Sequence, residues 1–582
     1  MRRIETICIL AAWAIALFGQ PAAAVTLAGD GVTDDTAALQ AALDHAGQTA
    51  SQVDLPPGQY LIKGSLDVPP GVALRGSWIA AHDAKLWTKG TTLLLTGGKG
   101  NESGTPAITL NQSSALCGVT LAWPEQQWDA IVAYPWAIKS QGNDVTVENV
   151  SLVNAYQGID EALSPCHLVR NVYGTVLRRG ICIDQCYDVG RLENIHFNTS
   201  YWINSGLGTM PEHIGGARKD VPRYTMQNLE AFTFGRTDCE YVFNTFVWGA
   251  KYAYHFIKTE AGDAYGQFAG IGADCCNVDI LVDALQRPGL QITNGNFTAF
   301  AKPISVGLMV SSGVSAPVEL VNCTFFGTPN GAAVLSGDNQ VTLSGCHFVH
   351  RGKPAVIVAN SGSVSIGNCS FGEKGIAALL GSRVRGAAVT GNLQPGGLLV
   401  ENQAGDRAQI VGNEAPVVYS DAVLQHYVVN IGDLGDDEFI GDGWYGREGA
   451  ASSSDKGKPA YNRSRWTEGE ATVTLPVKSG AAYTARIRLA VISNKPPATV
   501  SIENGSAVIV QGGPPTAVTL EIPAQLTTGH RSLLLKIASK GWVPAHDEPG
   551  NGDKRLLGAR VFAVEMTAAG SPGDAMELTA SP

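Results

Sequence analysis

Residues 320–326, LVNCTFF, return as LSGCHF at 343–348 and as IGNCSF at 366–371. Each copy holds an apolar residue, Asn or Gly, one more residue, and then a β-branched or aromatic pair. Working outward, the same phrase is VENVSL at 147–152, VRNVYG at 169–174, LENIHF at 192–197 and VFNTFV at 242–247. Its tightest part is Cys323, Cys346, Cys369 and Asn392, each 23 residues after the last. A fixed period in the low twenties, carried by strand formers without helical spacing, marks a solenoid with one backbone turn per repeat. The span from Asn149 to Asn413 therefore reads as a parallel β-helix, right-handed by the general rule for parallel crossovers. Its three cysteines share one phase and should stack about 4.8 Å apart. They read as buried small hydrophobes, with a disulfide inside the column as the alternative.

The chain has 582 residues, 45% hydrophobic and only 16% charged, with 68 Gly and 29 Pro, which suits short strands joined by turns. Residues 1–24 carry Arg2 and Arg3, an apolar run from Ile7 to Phe18 and Ala22-Ala23-Ala24, the pattern of a secretory signal peptide cleaved near Ala24. The expected product is secreted or periplasmic. Its net charge is -11 with the leader and more acidic without it, which argues against nucleic acid and anionic polymers as bulk-charge partners. No later apolar run is long enough to span a membrane. Cys182 with Cys186, and Cys275 beside Cys276, lack the paired spacing of a zinc site.

After the leader, residues 29–47 read GDGVTDDTAALQAALDHAG. Asp34, Asp35 and Thr36 are capping types, and Leu39, Ala42, Leu43 and Ala46 lie at helical spacing. A short helix should begin here, followed by strands in VDLPPGQYLIKGSLDVPPGVALRGSW at 53–78. This opening, with its PPGxYxI and VxLRG strands, resembles the start of the pectate-lyase-like β-helix proteins, which include rhamnogalacturonase and epimerase-like domains and phage tailspikes. The resemblance implies a helix capping the N-terminal end of the coil, and a fold shared by hydrolases, lyases, epimerases and non-catalytic spikes. Asp30, Asp34 and Asp35 then take structural roles.

Two stretches between repeats, 198–225 and 258–277, read as long loops, where binding and catalysis concentrate. They and their flanks are rich in aromatics: Trp136, Tyr201, Trp202 and Tyr254 suit the C–H faces of sugars, though packing of loops on the coil is the alternative. From about His426 the repeat ends, and five alternating segments such as ATVTLPV and YTARIRLAV read as an antiparallel, jelly-roll-like β-sandwich. The expected layout is leader 1–24, β-helix 25–425 and sandwich 426–582. That sandwich is either a glycan-binding module, with Trp444, Trp466 and Trp542 as stacking candidates, or a cap on the coil. Asp433, Asp436, Asp437 and Glu438 form an acidic run without EF-hand spacing, expected as a solvated loop.

In a coil, function comes from residues equal in phase on successive turns. Placing Asn149 over Asn171 sets Asp160 beside Cys182, with Asp184 two residues on; the Asn244 turn adds His255. The irregular turn between supplies GRTDCE, hence Asp238 or Glu240. Arg179 precedes this column and Lys258 closes it. Paired carboxylates beside a histidine and cations are the equipment of glycosidic cleavage, one protonating the leaving oxygen and the other acting as nucleophile or base. The expected catalytic set is Asp184, Glu240, Asp238, Asp160 and His255. Arg179, Trp136, Tyr201, Trp202, Tyr254 and Lys258 are the expected substrate contacts, with a polysaccharide or oligosaccharide as partner. The NTD, DD, GHG and RIK series of polygalacturonases is missing. No cofactor is expected for a hydrolase; a pectate-lyase-like alternative would use calcium with Arg178, Arg179 or Lys258 as base. A non-catalytic glycan-binding β-helix is the third reading.

Overall fold

The computed structural model describes residues 27–49, 51–78, 88–207, 217–300, 304–350, 352–449, 463–571 and 574–579. The expected signal peptide, residues 1–24, lies outside them. The chain divides into two compact units, one of Met1–Cys369, Ala378–Thr390 and Glu401–Ile410, the other of Ser370–Ala377, Gly391–Val400 and Val411–Pro582.

The first unit is the coil. Its strands pair in parallel with the equivalent strand one turn later, giving three sheets that wind around one apolar interior. Short strands form because each turn spends only a few residues on a face, and alternation sends Ile159, Ile181, Phe232 and Tyr254 inward on adjacent turns. Aromatic rings stack along the inside, with Phe232 over Tyr254 and Phe234 over Phe256 at 5.0 Å each. The N-terminal helix runs Thr36–Thr49 and buries Leu39, Leu43 and Ala46. Asp35, almost fully buried, accepts from the backbone N–H groups of Ala28 and Gly29, so its role is structural.

The repeated Asn or Gly has a direct backbone cause. Asn149, Asn171, Asn194, Asn244, Asn294, Asn322 and Asn368 all sit at φ between +52° and +57°, and Gly270, Gly345, Gly391 and Gly412 take the same left-handed turn. Only Gly and a few short polar residues enter this region cheaply. The amides also form a ladder: Asn171 Nδ2 donates to Asn149 Oδ1 at 2.9 Å, and Asn194 Nδ2 to Asn171 Oδ1 at 2.8 Å.

Two sequence expectations change here. The stretch after Asn244 is an ordinary turn of strands, Ala264–Ala269 and Gly272–Asp274, whose corner residue is Gly270 in place of Asn. The stretch after Asn194 carries two helices, Ser200–Ile203 and Ala217–Asn228, before the coil resumes at Glu230. Cys323, Cys346 and Cys369 are buried, and all ten cysteines among the described residues are free thiols.

The second unit contains two antiparallel-rich sheets around a shared core. One orders Thr516–Ile522, Tyr483–Ala490, Arg560–Ala568 and His426–Asn430; the other orders Glu470–Pro476, Ser532–Ser539, Ala498–Ile502 and Ala507–Val510. The acidic run there is no solvated loop. Asp436 is fully buried, gripped by the Arg465 guanidinium at 2.7 and 2.8 Å and by Arg447, while Asp433 pairs with Arg463 at 2.9 Å. Trp466 and Trp542 pack into a small cluster with Leu557, and Trp444 is half-buried with its indole N–H on the Thr472 carbonyl. Among the described residues, no helix is long and apolar enough to cross a membrane.

Candidate active site

One face of the coil sets the strand Trp136–Ser140 beside the ends of Thr146–Asp160 and Leu168–Ile183, then beside Glu230–Phe234, Tyr252–Phe256 and Val278–Val282. Two columns run across it: Gln157, Arg179, Glu230, Tyr252, Val278, and Asp160, Cys182, Thr233, His255, Leu281. Asp160, Cys182 and His255 thus share the phase that aligning the turns assigns to them. Between the columns the chain passes through Gly158, Gly180, Ala231 and Ala253, small because a Cβ at Gly180 would lie 2.1 Å from the Ala231 carbonyl oxygen.

The columns converge on His255. Its Nδ1 lies 3.3 Å from Glu230 Oε2 and its Nε2 lies 2.9 Å from Asp283 Oδ2. Ser311 Oγ donates to the other oxygen of Asp283. Arg178 approaches Glu230 at 3.8 Å while donating to the Asn228 carbonyl at 3.1 Å, and the Tyr252 ring stands edge-on to His255. Burial alone would push the His255 pKa down, but the hydrogen bonds and charges of Glu230 and Asp283 outweigh it, so the imidazole stays protonated above its usual range. The same contact holds the Glu230 carboxyl below the ordinary glutamate value against its own desolvation. Side-chain exposure rises from 11% at His255 through 23% at Glu230 to 44% at Asp283, so the group is anchored at the histidine and open at the aspartate.

The other expected residues fall into three places. Asp160 stays on this face, paired with Lys139 at 3.1 Å, near half-buried Trp136 and partly exposed Arg179, which reaches Gln157 at 3.3 Å. Asp184 and Asp238 meet at the next corner through Arg236: Asp184 Oδ1 accepts from the Arg236 backbone N–H at 2.7 Å and from Thr259 Oγ1 at 2.9 Å, and the Arg236 guanidinium pairs with Asp238 at 2.9 Å. Lys258 is exposed beside them in sequence.

Four residues lie elsewhere than expected. Glu240 points into the coil at 1% exposure, with Oε1 3.1 Å from His167 Nε2 and Oε2 accepting from Thr237 Oγ1 at 2.9 Å. Its strand belongs to another sheet, in register with Gly266, because the helical insertion lets Glu230–Phe234 take the expected place. Tyr254 faces inward, fully buried, with its hydroxyl on Thr245 and the Gly272 carbonyl. Trp202 is 1% exposed and Tyr201 9% exposed, the latter's hydroxyl 3.1 Å from His196 Nδ1. None of these four presents a face to a sugar.

Glu230 and Asp283 were absent from the expected set. The available signal was LEAFTF, whose alternation matches RRGICI as well as GRTDCE does, and VDILVDA, which repeats the apolar pattern one turn beyond His255.

Inside the same turns lies a second polar group. His167, Glu240, Glu161 and Cys186 are each at most 1% exposed, and the Glu161 carboxylate has no hydrogen-bond partner among the described residues. Burial raises the Glu161 pKa to about 7, partly offset by His167. No group of three or more His, Cys, Asp or Glu side chains among the described residues is placed to hold a metal ion.

Residues 24–119 match the family described as rhamnogalacturonase A/epimerase, pectate lyase-like, and the coil that they open is a parallel β-helix. No curated protein matches the sequence. Similar solved structures include the tailspike gp49 of Acinetobacter baumannii bacteriophage Fri1, a capsular polysaccharide depolymerase, at 11% identity and TM-score 0.33 over 92% of this chain and 83% of that one. DFA-IIIase from Arthrobacter chlorophenolicus A6 gives 10% and 0.38 over 67% and 97%. A GH87 alpha-1,3-glucanase from Streptomyces thermodiastaticus gives 15% and 0.34 over 62% and 66%. At these identities nothing is carried from their side chains to this site.

Proposed function

We propose that the chain is an exported carbohydrate-active enzyme, a glycoside hydrolase that cleaves a polysaccharide or oligosaccharide with Glu230 and Asp283. One observation carries this reading: two carboxylates held on either side of one imidazole, on an outer coil face with cations and aromatics along it. The matched family, described by a rhamnogalacturonase, supports the substrate class.

The two carboxyl groups flank a ring, which puts them roughly 7–8 Å apart, in the range where inverting glycosidases leave room for water. Glu230, held ionised by His255, takes a proton from that water as it attacks the anomeric carbon. Asp283, the more exposed group, passes to the leaving oxygen the proton that the His255 imidazolium gives it from Nε2. The cycle closes as Glu230 releases its proton to solvent and His255 takes one back at Nε2. Arg178, Arg179 and Trp136 lie along the strip where neighbouring sugar units would rest, with Asp160 and Lys139 beyond them. Asp184 and Asp238 hold Arg236 at the corner.

The test is reducing-sugar release with purified Glu230→Gln and Asp283→Asn. Each should lower kcat by about 10²–10⁴-fold, the usual contribution of a general acid or base. Full activity in both variants would sink the assignment. The product anomer, read by NMR at early times, should be inverted. A second reading, a polysaccharide lyase, is favoured by the Lys139–Asp160 pair beside Arg179. It predicts an unsaturated product absorbing in the ultraviolet, lost on calcium chelation.

A further inference from the structure

The second unit holds a cavity of about 500 Å³, within the size range of small-ligand sites. Three cations line it, and among the described residues only one has a carboxylate partner. Lys478 pairs with Asp421 at 2.7 Å. Lys374 has a hydroxyl and a carbonyl instead: its Nζ donates to Thr474 Oγ1 at 3.1 Å and to the Glu438 backbone oxygen at 3.5 Å. Arg531 accepts from the Val477 N–H through its backbone carbonyl, but its guanidinium is exposed and has no hydrogen bond or ion pair among the described residues. The one other acid on the lining is Glu438, whose side-chain carboxyl makes no hydrogen bond to Lys374.

We infer that this cavity binds an acidic sugar unit, its anionic group held between Lys374 and Arg531. A half-buried ammonium with only neutral partners keeps most of its desolvation cost, and an anion arriving there removes it. Burial indeed pushes the Lys374 pKa down, with Glu438 offsetting it only in part. Burial and the nearby Glu414 push the Glu438 carboxyl up, which weakens the competing negative charge. The rest of the wall fits a pyranose ring. The Tyr419 ring is braced on Phe439 at 6.2 Å, and Val418 beside it is 76% exposed, giving an apolar plate; Thr474, Ser479 and Ser532 supply hydroxyls. A flat apolar wall, hydroxyls and two unmatched cations in one cavity together describe a carboxylated or sulfated sugar better than a neutral one.

This inference rests on the proposed carbohydrate activity, so its test reads binding and not turnover. Full-length protein carrying Glu230→Gln is titrated calorimetrically with a galacturonate trisaccharide, a sulfated galactose oligosaccharide and a neutral galactose oligosaccharide. An acidic probe should bind. Arg531→Gln and Lys374→Met should each weaken it at least tenfold, and added salt should weaken it further. The carboxylated and sulfated probes distinguish the two anions. Neutral probe binding as tight as acidic, or affinity unchanged by both substitutions, overturns the inference. Should Lys374→Met misfold by circular dichroism, the exposed Arg531→Gln decides alone. Loss of hydrolysis in Glu230→Gln with binding intact separates this pocket from the coil site, so failure of one leaves the other standing.

Discussion

Two histidine–carboxylate groups occupy the same few turns of the coil and differ in one property. His255 with Glu230 and Asp283 faces out, while His167 with Glu240 faces in, with hydrogen-bond distances from 2.9 to 3.3 Å in both. The outer histidine is 11% exposed and the inner one 0%. Both imidazoles are raised in pKa against the opposing effect of burial, the inner one well above the ordinary value through Glu240. Residue type and pairing therefore do not distinguish an outward-facing group from a buried polar strut. The strand face does.

The sharpest way to break this comparison is to remove each carboxylate and ask what is lost. Glu230→Gln and Asp283→Asn should cost about 10²–10⁴-fold in kcat with only a small fall in the unfolding midpoint, because the His255 contacts they remove are partly open to solvent. Glu240→Ala should do the opposite. It leaves a buried histidine without its counter-charge, a defect worth about 3–5 kcal/mol, seen as a lower denaturant midpoint while the folded fraction keeps its specific activity. If Glu240→Ala abolished activity at unchanged stability, the inner group would be the site.

What the sequence made legible follows from the same alternation. The repeat gave the coil, because a left-handed corner selects Asn or Gly once per turn, and it placed Asp160, Cys182 and His255 in one column. It misplaced Glu240 because the insertion carrying Ser200–Ile203 and Ala217–Asn228 resets the count, and a ruler with a missing mark cannot tell which strand takes the next place. Gly270 hid one whole turn in the same way. Tyr254 and Trp202 look like sugar platforms in a sequence because aromatics serve cores and surfaces alike. Asp436 looks solvated until Arg447 and Arg465, 11 and 29 residues on, are brought to it.

The outer group should also reveal itself by pH. His255 is raised, so its proton is present at and below its ordinary pKa and is lost as pH rises through the higher folded value. Glu230 is lowered, so its charge is present above the ordinary glutamate pKa and is lost as pH falls through the lower folded value. The kcat/KM profile should be a broad bell, falling about tenfold per unit beyond each limb. His255→Gln should remove the alkaline limb and move the acid limb upward, because Glu230 loses the contact that depresses it. An unchanged profile in His255→Gln would remove His255 from the proton cycle.

The smallest expected effect concerns the corners that carry both groups. Asn171 sits at φ +54° and joins Asn149 and Asn194 in the amide ladder. Asn171→Ala must hold a left-handed corner without an amide, at about 1–2 kcal/mol for the conformation alone. Asn171→Gly keeps the corner and loses only the ladder, so it should cost less. The reverse change is available in the regular turns, where Gly345, at φ +62°, stands between Asn322 and Asn368. A Cβ there meets nothing closer than the Asn322 backbone nitrogen at 4.0 Å. Gly345→Asn should therefore insert the missing amide and restrict the unfolded chain, stabilising the coil by about 0.5–1 kcal/mol in denaturant unfolding. A destabilised Gly345→Asn would mean that the ladder follows from the left-handed corners and contributes nothing of its own to holding successive turns together.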